Sequence, residues 1–118
     1  MRAYELMIIF DGDLEEEAVA ASLSKATATI EAEGGRVVSM LDTEPWGRRR
    51  FAYRINNKWE GVYVVLEVVT EAKDLATTDR NLRLADRSEV VRHKIIRLPD
   101  SEVGRRGLLG EGEPATAD

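Results

Sequence analysis

Two apolar runs stand out in the hydrophobic and polar pattern of the chain, and both predict strands. They extend from Tyr4 to Phe10 and from Gly61 to Val69, and both alternating faces of each run are largely apolar. Strands of this kind are typical of the middle of a sheet. In the first run, one alternate set is expected to face the core: Tyr4, Leu6, Ile8 and Phe10.

The residues after the first strand have helical spacing. Asp13 is expected to be the N-cap, with Glu16 three positions later as in a capping box. Gly34-Gly35 predicts the end of this helix, because glycine accepts the left-handed conformation that follows many helices. The apolar positions between these two ends recur at helical intervals: Val19, Leu23, Ala26 and Ile30.

Three weaker patterns complete the domain. The stretches Arg36 to Leu41 and Arg48 to Ile55 predict a single strand that is interrupted at Pro45, which a sheet tolerates at an edge or a bulge. Ala72 to Leu84 is predicted to be the second helix, and Val90 to Leu98 the last strand.

The order strand, helix, strand, strand, helix, strand is the split βαβ plan of an α+β fold. It predicts a four-stranded antiparallel sheet with two helices on one face, and the two apolar strands in its middle. Residues 1–98 are expected to form this one domain. Residues 99–118 are rich in glycine and are expected to be a flexible tail that joins no core.

Charge singles out the segment from residue 46 to residue 59, WGRRRFAYRINNKW. It contains no carboxylate, although the formal net charge of the chain is -5. Guanidinium groups suit phosphate oxygens, so the segment predicts an RNA-contacting hairpin with its turn at Asn56-Asn57. Its aromatic rings could stack on bases: Trp46, Phe51, Tyr53 and Trp59. An edge strand whose cations only prevent pairing with other chains is the alternative. The five cations are Arg48, Arg49, Arg50, Arg54 and Lys58.

A second basic stretch, from Arg92 to Arg97, also contains the single histidine, His93. With no nucleophile motif near it, His93 is interpreted as a hydrogen-bonded structural residue. The acidic segment from Asp11 to Glu33, with seven carboxylates and one lysine, is expected to lie away from RNA.

Other chemistry is not predicted. The chain has no cysteine, and the run Glu15-Glu16-Glu17 is explained by the dipole at a helix N-terminus rather than by a cation site. No catalytic residue, metal site or cofactor is expected. The first apolar run is too short for a secretory signal or a membrane span, which favours a cytoplasmic protein.

Several blocks together resemble the bacterial small-subunit ribosomal protein six family. They are MRAYELMII at 1–9, WGRRRFAYRI at 46–55, EGVY at 60–63, RNLRL at 80–84 and VVRH at 90–93. The resemblance spans residues 1–98, and it departs from the family pattern in a longer segment before the tryptophan and in the glycine-rich tail.

The resemblance implies a ferredoxin-like domain without catalytic activity, which is a structural constituent of the small ribosomal subunit. It also implies binding to the central domain, or platform, of 16S ribosomal RNA as a heterodimer with ribosomal protein S18. The family's basic block falls on Trp46 and Gly47 and continues through the three arginines that follow.

Carried onto this chain, the resemblance assigns RNA-binding roles to two groups of residues. Arginines of the block are expected to contact phosphates, and Trp46 and Tyr53 are expected to pack or stack at the RNA or partner surface. The full set of candidates is Arg48, Arg49, Arg50, Arg54, Lys58, Trp46 and Tyr53, followed by Arg2, Arg92 and Lys94.

Three other functions remain open at this point. A free-standing RNA-recognition-motif-like protein would bind single-stranded RNA on its sheet, but it should have aromatic residues on strands one and three, and here the third has only Tyr63. A ferredoxin-like domain for a small ligand would need a polar pocket. A protein-only module would use its edge strand for pairing.

Overall fold

The structure is a computed structural model that describes residues 2–42, 47–55, 58–71 and 74–107. Strands and helices alternate in the order expected, with an additional strand and an additional helix. The elements are β1 (Arg2–Asp11), α1 (Glu16–Ala32), β2 (Gly35–Leu41), β3 (Gly47–Ile55), β4 (Lys58–Thr70), α2 (Ala76–Leu84), β5 (Val90–Arg97) and α3 (Asp100–Arg106).

All strand pairs of the sheet are antiparallel, and the strand order is β2-β4-β1-β5, with β3 also paired to β4. The predicted central strands are therefore confirmed. The predicted count of four strands is corrected to five, because β2 pairs with one half of β4 and β3 with the other. The chain re-enters the sheet at Gly47, whose φ of 92° favours glycine. Pro45, the predicted break, lies outside the described residues.

The core lies between the sheet and the helices α1 and α2. Its strand residues are the alternate set predicted for β1, and Leu6, Ile8 and Phe10 are fully buried. Opposite them, α1 contributes the residues that its periodicity predicted: Val19, Leu23, Ala26 and Ile30. His93 on β5 also faces these helices, because its Nε2 lies 2.7 Å from Asp79 Oδ1 on α2. This hydrogen bond lowers the pKa of Asp79.

The predicted capping box of α1 is wrong. The helix begins at Glu16 with Glu15 as its N-cap, and no side chain caps it. Asp13 is engaged elsewhere: its N–H donates to Asp11 Oδ1 at 2.8 Å, and its carboxylate forms an ion pair with Lys58. The end of α1 was predicted correctly, since Gly34 follows the helix with a φ of 92°.

Helix α2 begins at Ala76 rather than at Ala72. The N–H of Ala76 donates to Asp74 Oδ1 at 3.1 Å, and the next two N–H groups are capped by Glu33, at the end of α1. Glu33 accepts hydrogen bonds from the N–H of Thr77 and from both the N–H and the hydroxyl of Thr78, at 2.7–3.1 Å. The start of α2 is thus stabilised in part by a residue at the end of α1, which the periodicity of α2 does not reveal.

Helix α3 lies on the open face, which we define as the sheet face opposite α1 and α2. Val103 of α3 is buried against Ala3, Val69 and Leu98. The expectation that residues 99–118 join no core is therefore corrected for residues 100–106. Residues 108–118 lie outside the described part of the chain.

An arginine holds α3 on the open face. Glu5 of β1 and Glu67 of β4 are directly opposite each other in the ladder, where like charges destabilise a sheet. Arg106 Nη1 donates to Glu5 Oε2 at 3.0 Å and to Glu67 Oε2 at 2.9 Å, while its Nε donates to Glu102 Oε1 at 2.8 Å. Ser39 donates its hydroxyl hydrogen to Glu67 as well. We call Glu5, Glu67 and Arg106 the carboxylate clasp.

Replacing Arg106 by methionine is expected to destabilise the fold by about 1–3 kcal/mol, because two mostly buried carboxylates would face each other without a cation. Urea unfolding followed by circular dichroism measures this loss. The matched control is Arg105→Met, because Arg105 is largely exposed and pairs only with Glu102 among the described contacts. Adding Glu5→Gln to Arg106→Met should recover part of the lost stability. Equal losses of stability in Arg106→Met and Arg105→Met would contradict the role of Arg106 between the two carboxylates.

Acid should weaken the contacts of α3 through Glu102. Hydrogen bonds from Arg105 and then Arg106 lower the pKa of Glu102 from 4.5 to about 2. A pKa that is lower in the folded state gives stability that is complete above the unfolded value and is lost as the pH falls toward about 2. The free energy of unfolding should therefore fall more between pH 4.5 and pH 2 in the parent than in Glu102→Gln, and parallel pH profiles would refute this.

Candidate nucleic-acid interface

The basic segment forms the predicted hairpin of β3 and β4. Arg48, Arg49 and Arg50 pair with Val62, Gly61 and Glu60, and the register then shifts before Ile55 pairs with Lys58. The predicted turn at Asn56-Asn57 lies outside the described residues. The ladder fixes the backbone of the three consecutive arginines and points their side chains alternately to the two faces.

Phe51 anchors the hairpin to the open face. Its side chain is only 5% exposed, and its ring lies over Gly61. A Cβ atom added at Gly61 would come 2.6 Å from Phe51 Cζ and 3.0 Å from Ile9 Cγ2, so glycine makes this approach possible. The ring of Tyr63 meets Phe51 edge to face, with centroids 6.2 Å apart.

Two predicted arginines lie over aromatic rings on this face. The Arg49 guanidinium is 5.9 Å from the centroid of Tyr63, and that of Arg92 is 5.9 Å from the centroid of Tyr53. Arg92 Nη1 also donates to the Tyr53 hydroxyl at 3.2 Å. Because β3 and β5 belong to opposite edges of the sheet, the contact between Tyr53 and Arg92 spans the open face. The Tyr53 side chain is nevertheless 58% exposed.

Lys94 lies two positions beyond Arg92 on β5, so strand alternation places both on the open face. The structure thus brings together four of the predicted residues. We call them the open-face cluster: Arg49, Tyr53, Arg92 and Lys94.

Arg48 and Lys58 differ from this cluster because they contact the turn after β1. Arg48 Nη1 donates to the carbonyl oxygen of Gly12 at 2.9 Å and lies 3.6 Å from Glu60 Oε1. Lys58 forms an ion pair with Asp13 and lies 3.9 Å from Asp11 Oδ1. The hydrogen bond to Asp13 is the main reason that the pKa of Lys58 is raised. Acidic residues expected to lie away from the interface therefore contact the hairpin and partly neutralise it.

Arg50 and Arg54 are both exposed, and the guanidinium of Arg50 lies 5.4 Å from the centroid of Trp59. Arg2 lies apart from the hairpin: it pairs with Thr70, at the opposite end of β4, about 27 Å along the strand from Val62. Trp46 lies outside the described residues. The structure therefore does not bring Arg2 together with the other candidates.

Trp59 was named as a ring that could stack on bases but was not placed among the candidate site residues, although its side chain is 48% exposed beside them. The signal in the sequence was its position next to Lys58 at the end of the basic segment. Exposure of such a large ring depends on the fold of the hairpin, which the residue pattern does not specify.

Two other kinds of site are absent from the described part of the chain. No group of three or more histidine, cysteine, aspartate or glutamate residues there has the arrangement of a metal site. No helix within the same residues has the length and apolar character needed to cross a membrane.

The chain is similar to known proteins over most of its length. The profile of the family described as Ribosomal protein S6 matches residues 3–97. The small ribosomal subunit protein bS6 of Salinispora tropica is 44% identical over 97 residues, which cover 82% of this chain and 96% of the relative. The corresponding protein of Acidothermus cellulolyticus is 39% identical over 101 residues, or 86% of this chain and 99% of the relative.

A solved structure has the same fold. The crystal structure of 30S ribosomal protein S6 from Thermotoga maritima superimposes with a TM-score of 0.75 at 25% identity, over 92% of this chain and 97% of that one. These relatives are structural proteins of the small ribosomal subunit and are not enzymes. With a family profile that covers most of its length and relatives above 40% identity, this chain belongs to the ribosomal protein S6 family.

Proposed function

We propose that the chain binds the central domain of 16S ribosomal RNA in the cytoplasmic ribosome, together with ribosomal protein S18 as a heterodimer. Membership of the family makes it a structural protein of the small subunit. The observation that supports the finer proposal is the open-face cluster. In a chain of net charge -5, it places cations on the one sheet face that α1 and α2 leave uncovered.

The rings of the cluster favour phosphate binding because they restrict the arginines. A guanidinium that already lies over a ring loses less rotamer freedom when it donates to a phosphate. The contacts of Arg49 with Tyr63 and of Arg92 with Tyr53 have this effect. Lys94 would act as an additional point charge on the same face.

The other candidates have different environments and are proposed to contribute differently. Arg50 and Arg54 are exposed and suit direct phosphate contacts. Arg48 and Lys58 would first have to exchange their acidic or carbonyl partners, so each should contribute less. Tyr53, and Trp46 next to Gly47, are proposed to stack or pack at the RNA or partner surface.

A shared footprint with a partner fits the charge of this chain. The acidic residues near the hairpin repel phosphates, and Arg2 lies at the far end of β1, so one continuous basic surface is not formed. A second protein would supply the remaining cations. Because the cations would be divided between two proteins, the affinity for RNA should depend strongly on the partner.

The alternative of a free-standing single-strand binder needs an accessible sheet. Here α3 covers one end of the open face, and Phe51 of the hairpin is buried over the other end. The rings that such a protein would offer to bases are thus partly occupied by contacts within the chain. These contacts favour the ribosomal proposal over the alternative.

Replacing Arg49 and Arg50 by alanine should weaken binding to a central-domain RNA fragment and reduce the salt dependence by about one unit of log-log slope per lost phosphate contact. Binding is titrated at several salt concentrations with ribosomal protein S18 present. Arg48→Ala should change the slope less than Arg50→Ala, because Arg48 already donates to Gly12 and faces Glu60.

The matched control is Arg83→Ala, which removes the same charge from α2, on the opposite side of the sheet, where Arg83 pairs with Asp79. Equal slopes for the control and the hairpin variants would contradict the proposal. Tight binding to short single strands without the partner would favour the free-standing binder. No binding with or without the partner would favour a protein-only module.

A further inference from the structure

We propose that Trp59 forms a stacking site for one unpaired RNA base, separate from the open-face cluster. This inference rests on the proposed function, since it identifies an additional contact with the same RNA. It starts from the exposure of the ring: a tryptophan that is 48% exposed at the beginning of β4 leaves a large apolar surface in water. Aromatic rings of this kind are typical stacking surfaces for bases in single-stranded nucleic acids.

The fold does not require this ring in its interior. Phe51, which is buried over Gly61, already anchors the hairpin to the sheet, and Tyr63 packs against Phe51. Trp59 instead forms one wall of a shallow cleft of about 250 Å³ between the hairpin and the turn after β1. The other lining residues are Gly12, Asp13, Arg48, Lys58 and Glu60.

The charges of the cleft distinguish it from a phosphate site. Its two cations are already matched by carboxylates: Lys58 pairs with Asp13, and Arg48 lies 3.6 Å from Glu60. A site that is nearly neutral attracts phosphates weakly, so its contribution to affinity must come from the ring. The guanidinium of Arg50 lies over one face of the Trp59 ring, 5.4 Å from its centroid, so a base would stack on the other face.

Stacking and charge neutralisation have different salt dependences, and this difference provides the test. Removing a stacking ring lowers affinity by a similar factor at each salt concentration, because few counterions are released by an uncharged contact. Trp59→Ala should therefore weaken binding to a central-domain RNA fragment roughly 5- to 150-fold with an unchanged salt slope. Trp59→Phe should retain most of the affinity.

The matched control is Leu84→Ala. Leu84 is 71% exposed on α2, far from the hairpin, so its removal deletes an exposed apolar side chain without affecting the cleft. All variants are first compared by thermal unfolding. Because Trp59 and Leu84 are both substantially exposed, each variant should fold like the parent.

Fluorescence provides a second readout that does not depend on affinity. The chain has two tryptophans, so the emission of Trp59 is obtained as the difference between the parent and Trp59→Phe, which retains Trp46. Stacking with an unpaired base should quench this emission on binding. The comparison is a fully paired duplex with the same total number of nucleotides, which carries about the same charge but no free base and should leave the emission nearly unchanged.

The outcomes separate this inference from the proposed function. If the parent binds RNA while Trp59→Ala binds equally well and the Trp59 emission is unaffected, the stacking site is refuted and the proposed function stands. A lower salt slope in Trp59→Ala would also refute the stacking site, because the ring would then act by positioning cations that contact phosphates. If the parent binds no RNA with or without ribosomal protein S18, the stacking site and the proposed function fail together.

Discussion

The pairing of β1 with β4 is the constraint on which the rest of the fold depends. Both strands are largely apolar on both faces, and Val65 is as fully buried toward the open face as Leu6 is toward the helices. A sheet with such a centre must be covered on both sides. Helices α1 and α2 cover one face. The other face is covered at one end by α3 and at the other by Phe51 of the hairpin.

Covering the open face also determines which cations remain available. Arg106 is used inside the protein, where it separates the opposed carboxylates of Glu5 and Glu67. Arg48 and Lys58 are balanced by acidic residues near them. The cations that remain for a partner are thus fewer than the sequence contains. Those proposed as the main phosphate contacts are Arg49, Arg50, Arg54, Arg92 and Lys94.

The sequence predicted the features that arise from local periodicity. The helix face of β1, the buried positions of α1 and the two central strands were all correct, because burial on one face imposes a regular spacing. The errors involve residues far apart in the chain. Asp13 does not cap α1 because Lys58 binds it, and α3 packs on the sheet because Arg106 meets Glu5 and Glu67. The contact of Tyr53 with Arg92 also crosses the sheet, so no local pattern reveals it.

The same long-range contacts explain how an acidic chain can present the binding surface proposed here for RNA. Flexible arginine side chains lose rotamer entropy of about 2 kcal/mol when they are fixed, which opposes each new phosphate contact. Here, the ladder fixes the backbone of Arg49, and Tyr63 already restricts its guanidinium; Tyr53 restricts Arg92 in a similar way. Part of the ordering is therefore complete before RNA arrives. In such a surface, the number of arginines matters less than how many of them are already held by an aromatic ring.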